Sequence, residues 1–61
     1  MTQAQINHNI RHLERRIPRL RKQATNAYKR NHNIIAVDCL NLAYWCERKI
    51  EYWKQIKKEQ Q

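Results

Sequence analysis

The spacing of apolar residues in the N-terminal half most constrains the fold of this chain. They recur at alternating intervals of four and three residues: Ile6, Ile10, Leu13, Ile17, Leu20, Ala24 and Ala27. This spacing follows the 3.6-residue turn of an α-helix, so one side of the helix carries all of them. The 61 residues include no glycine and one proline, which also favours helices over tight turns. The sequence therefore predicts an all-α protein.

Local signals place the first helix at about residues 3–30. Thr2 and Gln5 match a capping box, in which each side chain binds the backbone N–H of the other residue. Pro18 lies in the middle of this helix, where its ring crowds the carbonyl of Glu14 and costs about 3 kcal/mol. Because the apolar spacing keeps its phase across Pro18, we expect one kinked helix with the proline on the solvent side. A split into two helices at Pro18 is the alternative.

A short connection at about 31–33 should lead to a second helix at about 34–58, within a single helical domain covering residues 1–61. Asn31 can adopt the left-handed conformation in the absence of glycine, and Asn33 can cap the second helix. So short a loop makes the helices antiparallel neighbours, a two-helix hairpin. The main apolar stripe of the second helix is expected to pack on the first helix: Ile35, Cys39, Leu42, Cys46, Ile50, Trp53 and Ile56.

The second helix carries apolar side chains on several faces, which two helices alone cannot bury. A chain of this size has a small core, and a helix that is apolar on several sides is normally a buried one. Another protein or a second copy should cover the surplus, and a homodimeric antiparallel four-helix bundle is the simplest closure. The residues expected at this dimer or partner interface are Val37, Leu40, Tyr44, Trp45, Tyr52 and Trp53.

Positive charge is concentrated in the first half of the chain. The net charge is +8; residues 1–33 hold eight Lys and Arg against one Glu, which gives +7, and residues 34–61 hold five against four acids, which gives +1. On a helical wheel the basic side chains form a column opposite the apolar stripe. The residues expected to bind an anionic partner are Arg11, Arg15, Arg19, Lys22 and Lys29.

An acidic protein or a nucleic acid would relieve the repulsion within this basic column. A duplex carries one negative charge per about 1.7 Å of its axis and could neutralise such a column in a salt-dependent way. No helix-turn-helix, zinc-finger, basic-zipper or RNP signature is present, so sequence-specific reading is not indicated. A basic face that only serves solubility is the other interpretation.

Catalytic and metal chemistry have little support in the sequence. Cys39 and Cys46 lie about 10 Å apart along one helix, too far for a disulfide, and are interpreted as buried apolar residues. His8 and His12 have a spacing that can bind zinc, but no companion ligands accompany them. The chain has no serine, no glycine-rich phosphate loop and no carboxylate pair in a predicted pocket. We therefore expect no enzyme activity, metal, cofactor or small-molecule substrate.

The hydropathy pattern predicts a cytoplasmic protein. The longest apolar-rich stretch, residues 34–46, is interrupted by Asp38 and Asn41. It falls short of the roughly 20 residues that a membrane-spanning helix needs. No cationic and then apolar leader opens the chain, as it would in a secretory signal.

Two stretches give the chain its overall character, MTQAQINHNIRHLERR at the start and YWCERKIEYWKQIKK near the end. A short, basic, glycine-free helical chain of this kind resembles the small early proteins that lambdoid phages encode between their recombination and excision genes. The resemblance implies a bacterial host cytoplasm and a regulatory role in host takeover or the lysis–lysogeny choice. The expected function is a non-enzymatic regulator that binds a partner protein. The alternative is a nucleic-acid-binding module that uses the basic face of helix 1.

Overall fold

Two long α-helices joined by three residues make up the computed structural model, which describes residues 1–60. Helix α1 spans Gln3–Lys29 and helix α2 spans Asn33–Glu59, 27 residues each. They pack against each other as a hairpin about 47 Å long, and residues 1–60 contain no strand. At the open end, Gln3 Nε2 donates to Gln60 Oε1 at 3.5 Å, as the antiparallel arrangement requires. The predicted all-α helical hairpin is confirmed.

Helix α1 begins with the predicted capping box. The backbone N–H of Gln5 donates to Thr2 Oγ1 at 3.1 Å, and the backbone N–H of Thr2 donates to Gln5 Oε1 at 2.9 Å. Both bonds satisfy donors that a helix N-terminus leaves unpaired. Pro18 lies inside the continuous helix with its ring exposed, so the single-helix prediction is confirmed and the split is wrong.

The turn between the helices closes without glycine. Asn31 has a φ of 61°, the left-handed conformation that the sequence predicts for it. Its N–H donates to the carbonyl of Tyr28 at 3.0 Å, and the N–H of His32 donates to the carbonyl of Ala27 at 2.8 Å. These two bonds form a Schellman motif, which satisfies the last carbonyls of α1. The predicted capping role of Asn33 is wrong, because Asn33 is the first residue of α2 and the preceding His32 makes no side-chain capping bond.

The side chains that form the core between the helices become smaller towards the loop. Towards the open end it contains mostly large side chains: Ile6, Ile10, Leu13, Leu20 and Ile50 pack with the smaller Ala43 and Cys46, and Ile17, Trp53 and Ile56 pack against them. Near the loop it contains small ones only: Ala24, Ala27, Ala36 and Cys39. Both cysteines are free and buried, as predicted. Because hydrophobic stabilisation scales with buried apolar area, the open end contributes most of it.

The predicted core stripe of α2 is wrong at two positions. Ile35 and Leu42 were expected in the core but are 53% and 45% exposed, and the adjacent alanines are buried instead. The stripe that contacts α1 has an unbroken spacing of three and four residues: Ala36, Cys39, Ala43, Cys46, Ile50 and Trp53. This spacing stays in phase with the stripe of α1. Side-chain size favoured the larger residues, but helical phase decides which residues are buried.

Candidate partner-binding surfaces

Helix α2 exposes far more apolar surface than α1. The exposed large apolar residues of α2 are Ile34, Ile35, Val37, Leu40, Leu42, Tyr44, Trp45 and Tyr52. On α1 itself only Tyr28 belongs to this class, with Met1 preceding the helix. Single exposed apolar residues are normal, whereas a contiguous patch usually marks a binding surface. The outward surface of α2 is therefore the first candidate site.

The hairpin geometry places seven of these eight side chains on two faces, and Ile34, near the start of α2, lies outside both. The first, which we term the Leu40 face, consists of Val37, Leu40 and Tyr44. It lies on the side of α2 that also carries Glu47, whose carboxylate binds the guanidinium of Arg21 on α1. This ion pair is exposed, so it adds little to stability. It shows, however, that the Leu40 face adjoins an edge of the hairpin where the two helices exchange polar contacts.

The second face lies on the other side of α2. Each of its residues comes one position before a residue of α2 that contacts α1. We term it the Trp45 stripe: Ile35, Asp38, Leu42, Trp45, Lys49 and Tyr52. All six residues are exposed, Trp45 and Tyr52 by 61% and 60%. One residue corresponds to about 100° around a helix, so this stripe is turned by about that angle from the core. Sequence reasoning missed Ile35 and Leu42 as surface residues, although the repeated spacing was a signal that could have identified them.

Aromatic rings connect the two faces and the core. The rings of Tyr44 and Trp45 meet edge to face with centroids 6.5 Å apart, and those of Tyr52 and Trp53 do so at 5.3 Å. Trp53 is half-buried and packs against the core within the chain. The other five predicted interface residues are exposed.

Tyr44 is further held in place by Arg48. Arg48 Nη1 donates to the phenol oxygen at 3.1 Å, and the guanidinium carbon lies 5.8 Å from the ring centre. The hydrogen bond to Tyr44 raises the pKa of Arg48 above its usual range. A ring positioned by a neighbouring cation loses less side-chain entropy when it binds a partner.

The outer face of α1 carries the predicted basic column. Its five members are all exposed: Arg11, Arg15, Arg19, Lys22 and Lys29. From first to last they extend about 27 Å along the helix axis. Within residues 1–60 the ion pair between Arg21 and Glu47 is the only one, so no member of the column has a carboxylate partner. Like charges at helical spacing repel, and a bound anion would stabilise them.

His8 and His12 are exposed, His12 at a groove that Lys49 and Trp53 of α2 also line, and no group of three or more His, Cys, Asp or Glu in the described part of the chain could hold a metal ion. Over residues 1–60, neither helix combines the length and the apolar character needed to cross a membrane.

The fold and its surfaces define the class of protein, an antiparallel helical hairpin with an apolar outer surface on one helix and a basic one on the other. Comparison of the chain with known protein families, curated proteins and solved structures finds no match. Function is therefore inferred from the chemistry of the two surfaces.

Proposed function

We propose that this chain is a small non-enzymatic protein that acts by binding a partner protein through the outward surface of α2. One observation carries the proposal: eight large apolar side chains of this helix remain exposed in the hairpin. Covering apolar surface contributes about 25 cal/mol per Å², so a complementary protein surface would bind here favourably. Tyrosine and tryptophan, both present on this surface, are enriched among the residues that dominate binding energies.

The Leu40 face is the part of this surface that we assign to a foreign protein. Tyr44 is positioned by Arg48, and Val37 and Leu40 lie within one helical turn of each other beside it. This combination of an anchored aromatic ring, aliphatic neighbours and a polar rim is typical of a binding hot spot. The resemblance to phage early proteins would make the partner a protein of the bacterial host cytoplasm and the role regulatory.

A second copy of the chain covers another part of α2 in this proposal, giving a homodimeric four-helix bundle. Two helices leave both apolar faces of α2 open, whereas a four-helix bundle covers one of them. Small domains with a limited core commonly gain stability through such association. Homodimerisation and binding of a foreign protein are compatible because α2 has two separate exposed faces.

Affinity capture tests the binding of a partner protein. The immobilised chain is exposed to bacterial lysate with and without nuclease, next to a variant carrying Leu40→Lys and Tyr44→Ala. Lys58→Ala, an exposed change at the end of α2, serves as the matched control. We expect a protein that the wild-type chain and the control retain and the variant loses, whatever the nuclease treatment. With the purified protein, calorimetry should show at least a tenfold loss of affinity for the variant. Equal retention by all three chains would contradict the proposal.

Nucleic-acid binding by α1 is the second candidate function. It is favoured by a specific observation, the basic column whose five members lack a carboxylate partner within residues 1–60. Arginine and lysine along one helix face can contact successive phosphates of a nucleic-acid backbone. Such contacts give affinity without sequence selectivity, and the column faces away from the surface assigned to a partner protein.

A further inference from the structure

The Trp45 stripe has the spacing of a coiled-coil seam. Its six members follow one another at intervals of three, four, three, four and three residues. A helix with this repeat can pack along its whole length against a second helix with the same repeat. Each member also lies one residue before a member of the core stripe. Helix α2 therefore presents two parallel seams, of which α1 covers only one.

The order of residues along the stripe makes it complementary to itself in the antiparallel direction. Two copies can meet with the midpoint between Ala43 and Tyr44 at the centre of the pair. Each charged member then faces a member of opposite charge, and each apolar or aromatic member faces another one. The three kinds of contact are Ile35 with Tyr52, Leu42 with Trp45 and Asp38 with Lys49. Each contact occurs twice because the pair is symmetric.

Other alignments lose this complementarity. A parallel pair would place Asp38 against Asp38 and Lys49 against Lys49, and like charges at an interface destabilise it. A shift of one heptad in either direction would set Asp38 against Leu42 or Lys49 against Trp45 and leave two members of the stripe unpaired. The charged residues of the stripe thus select both the direction and the register of pairing.

The Leu40 face does not pair with itself in this way. Continued along α2, its spacing reaches Glu47, and an antiparallel pairing centred on Leu42 would set that carboxylate against Val37. Glu47 is already bound to Arg21 within the hairpin. The outer face of α1 is also unsuitable, because two basic columns would repel each other. Of these three surfaces, only the Trp45 stripe complements a second copy in both charge and apolar contacts.

We infer that two copies of this chain bind through the Trp45 stripe, with their α2 helices antiparallel and a twofold axis between Ala43 and Tyr44. This inference rests on the proposed function, of which it defines one part. The stripe is turned by about 100° from the core seam, close to the right angle between the two neighbours of a helix in a four-helix bundle. The pairing leaves the Leu40 face and the basic column accessible.

Charge exchange tests both the dimer and its register. In Asp38→Lys both contacts of the charged pair become lysine against lysine, and in Lys49→Asp both become aspartate against aspartate. A mixture of the two variants restores opposite charges at both contacts, as does the variant that carries both changes. Glu51→Lys and Lys54→Asp are the matched controls, since they make the same charge changes on α2 outside the stripe.

Sedimentation equilibrium at low salt gives the dimer affinities, and native mass spectrometry of the mixture gives the pairing. We expect each single variant to dimerise at least about tenfold more weakly than wild type, equivalent to about 1.4 kcal/mol. The mixture should form mainly the mixed dimer, the double variant should recover wild-type affinity, and the controls should match wild type. Circular dichroism confirms that each variant remains helical.

A monomeric wild-type chain would overturn the inference, and so would a dimer that ignores the charge changes or mixes statistically. Failure here and failure of the proposed function are distinguishable. Capture of a protein through Leu40 and Tyr44 by a monomeric chain would leave partner binding intact. Dimerisation in the expected register without any captured protein would support this inference and remove partner binding.

Discussion

Ile35 and Ala36 are adjacent in sequence but lie in opposite environments, since Ala36 is fully buried at 0% exposure and Ile35 is 53% exposed. Ala36 packs in the small-residue core beside Ala24, Ala27 and Cys39. A larger side chain there has no space, and overpacking typically costs about 1–3 kcal/mol. The smaller residue is therefore the one on which the hairpin depends.

We accordingly expect Ala36→Leu to lower the free energy of unfolding by about 2 kcal/mol. Ile35→Ala should change it by less than about 0.5 kcal/mol in protein dilute enough to be monomeric. Urea unfolding followed by circular dichroism measures both values. A larger effect of Ile35→Ala than of Ala36→Leu would mean that α2 contacts α1 through the Trp45 stripe.

Pro18 interrupts the hydrogen bonding of α1 without a compensating burial of its ring. The ring is exposed. Because proline has no backbone N–H, the carbonyl of Glu14 receives no helical hydrogen bond from residue 18. We expect Pro18→Ala to stabilise the hairpin by about 2 kcal/mol, less than the full helix penalty of about 3 kcal/mol because proline also restricts the unfolded chain. Thermal and urea unfolding measure the gain. Lys22→Ala, another exposed change on α1, should stay within about 0.5 kcal/mol of wild type; destabilisation by Pro18→Ala would refute the prediction.

The left-handed conformation of Asn31 gives a prediction for the turn. At a φ of 61° a residue with a Cβ is strained, and asparagine tolerates the conformation better than alanine does. We expect Asn31→Ala to destabilise the hairpin by about 1 kcal/mol and Asn31→Gly to be neutral or stabilising. Urea midpoints of both variants check this. Arg30→Ala, with an ordinary φ of −97°, is the control; equal effects of alanine and glycine at position 31 would contradict the prediction.

The basic column predicts how binding to a nucleic acid would respond to charge. We expect Arg15→Glu with Arg19→Glu to lower affinity for a DNA duplex at least tenfold and to reduce the salt slope by about two, one for each lost phosphate contact. Fluorescence anisotropy at several salt concentrations measures both. Lys54→Glu with Lys58→Glu makes the same charge change on α2 and should have a smaller effect. Equal loss in both double variants would show attraction by net charge alone.

Local chemistry made much of the fold predictable. The capping box of Thr2 and Gln5, the left-handed Asn31 and the apolar stripe of α1 each depend on residues near one another in sequence. The phase of α2 depends instead on packing against a distant helix. Ile35 and Leu42 look more like core residues than the alanines that follow them. The sequence therefore predicts a single core stripe that combines these two members of the Trp45 stripe with residues that contact α1.

The candidate surfaces were predictable in part for the same reason. The members of the basic column follow from composition and helical spacing, and they lie where the sequence predicts. Tyr44, Trp45 and Tyr52 are exposed as expected, whereas Trp53 lies half in the core. The division of α2 into two faces required the position of α1, which only the folded hairpin gives.

The molar mass of the wild-type chain in solution tests the central claim most directly, namely that the uncovered seam of α2 is a binding surface for a second copy. One chain has a mass of 7.6 kDa. Sedimentation equilibrium over a range of concentrations should give a dimer of twice that mass that dissociates on dilution and dissociates earlier in Trp45→Ala. A mass of 7.6 kDa at every concentration would contradict this claim.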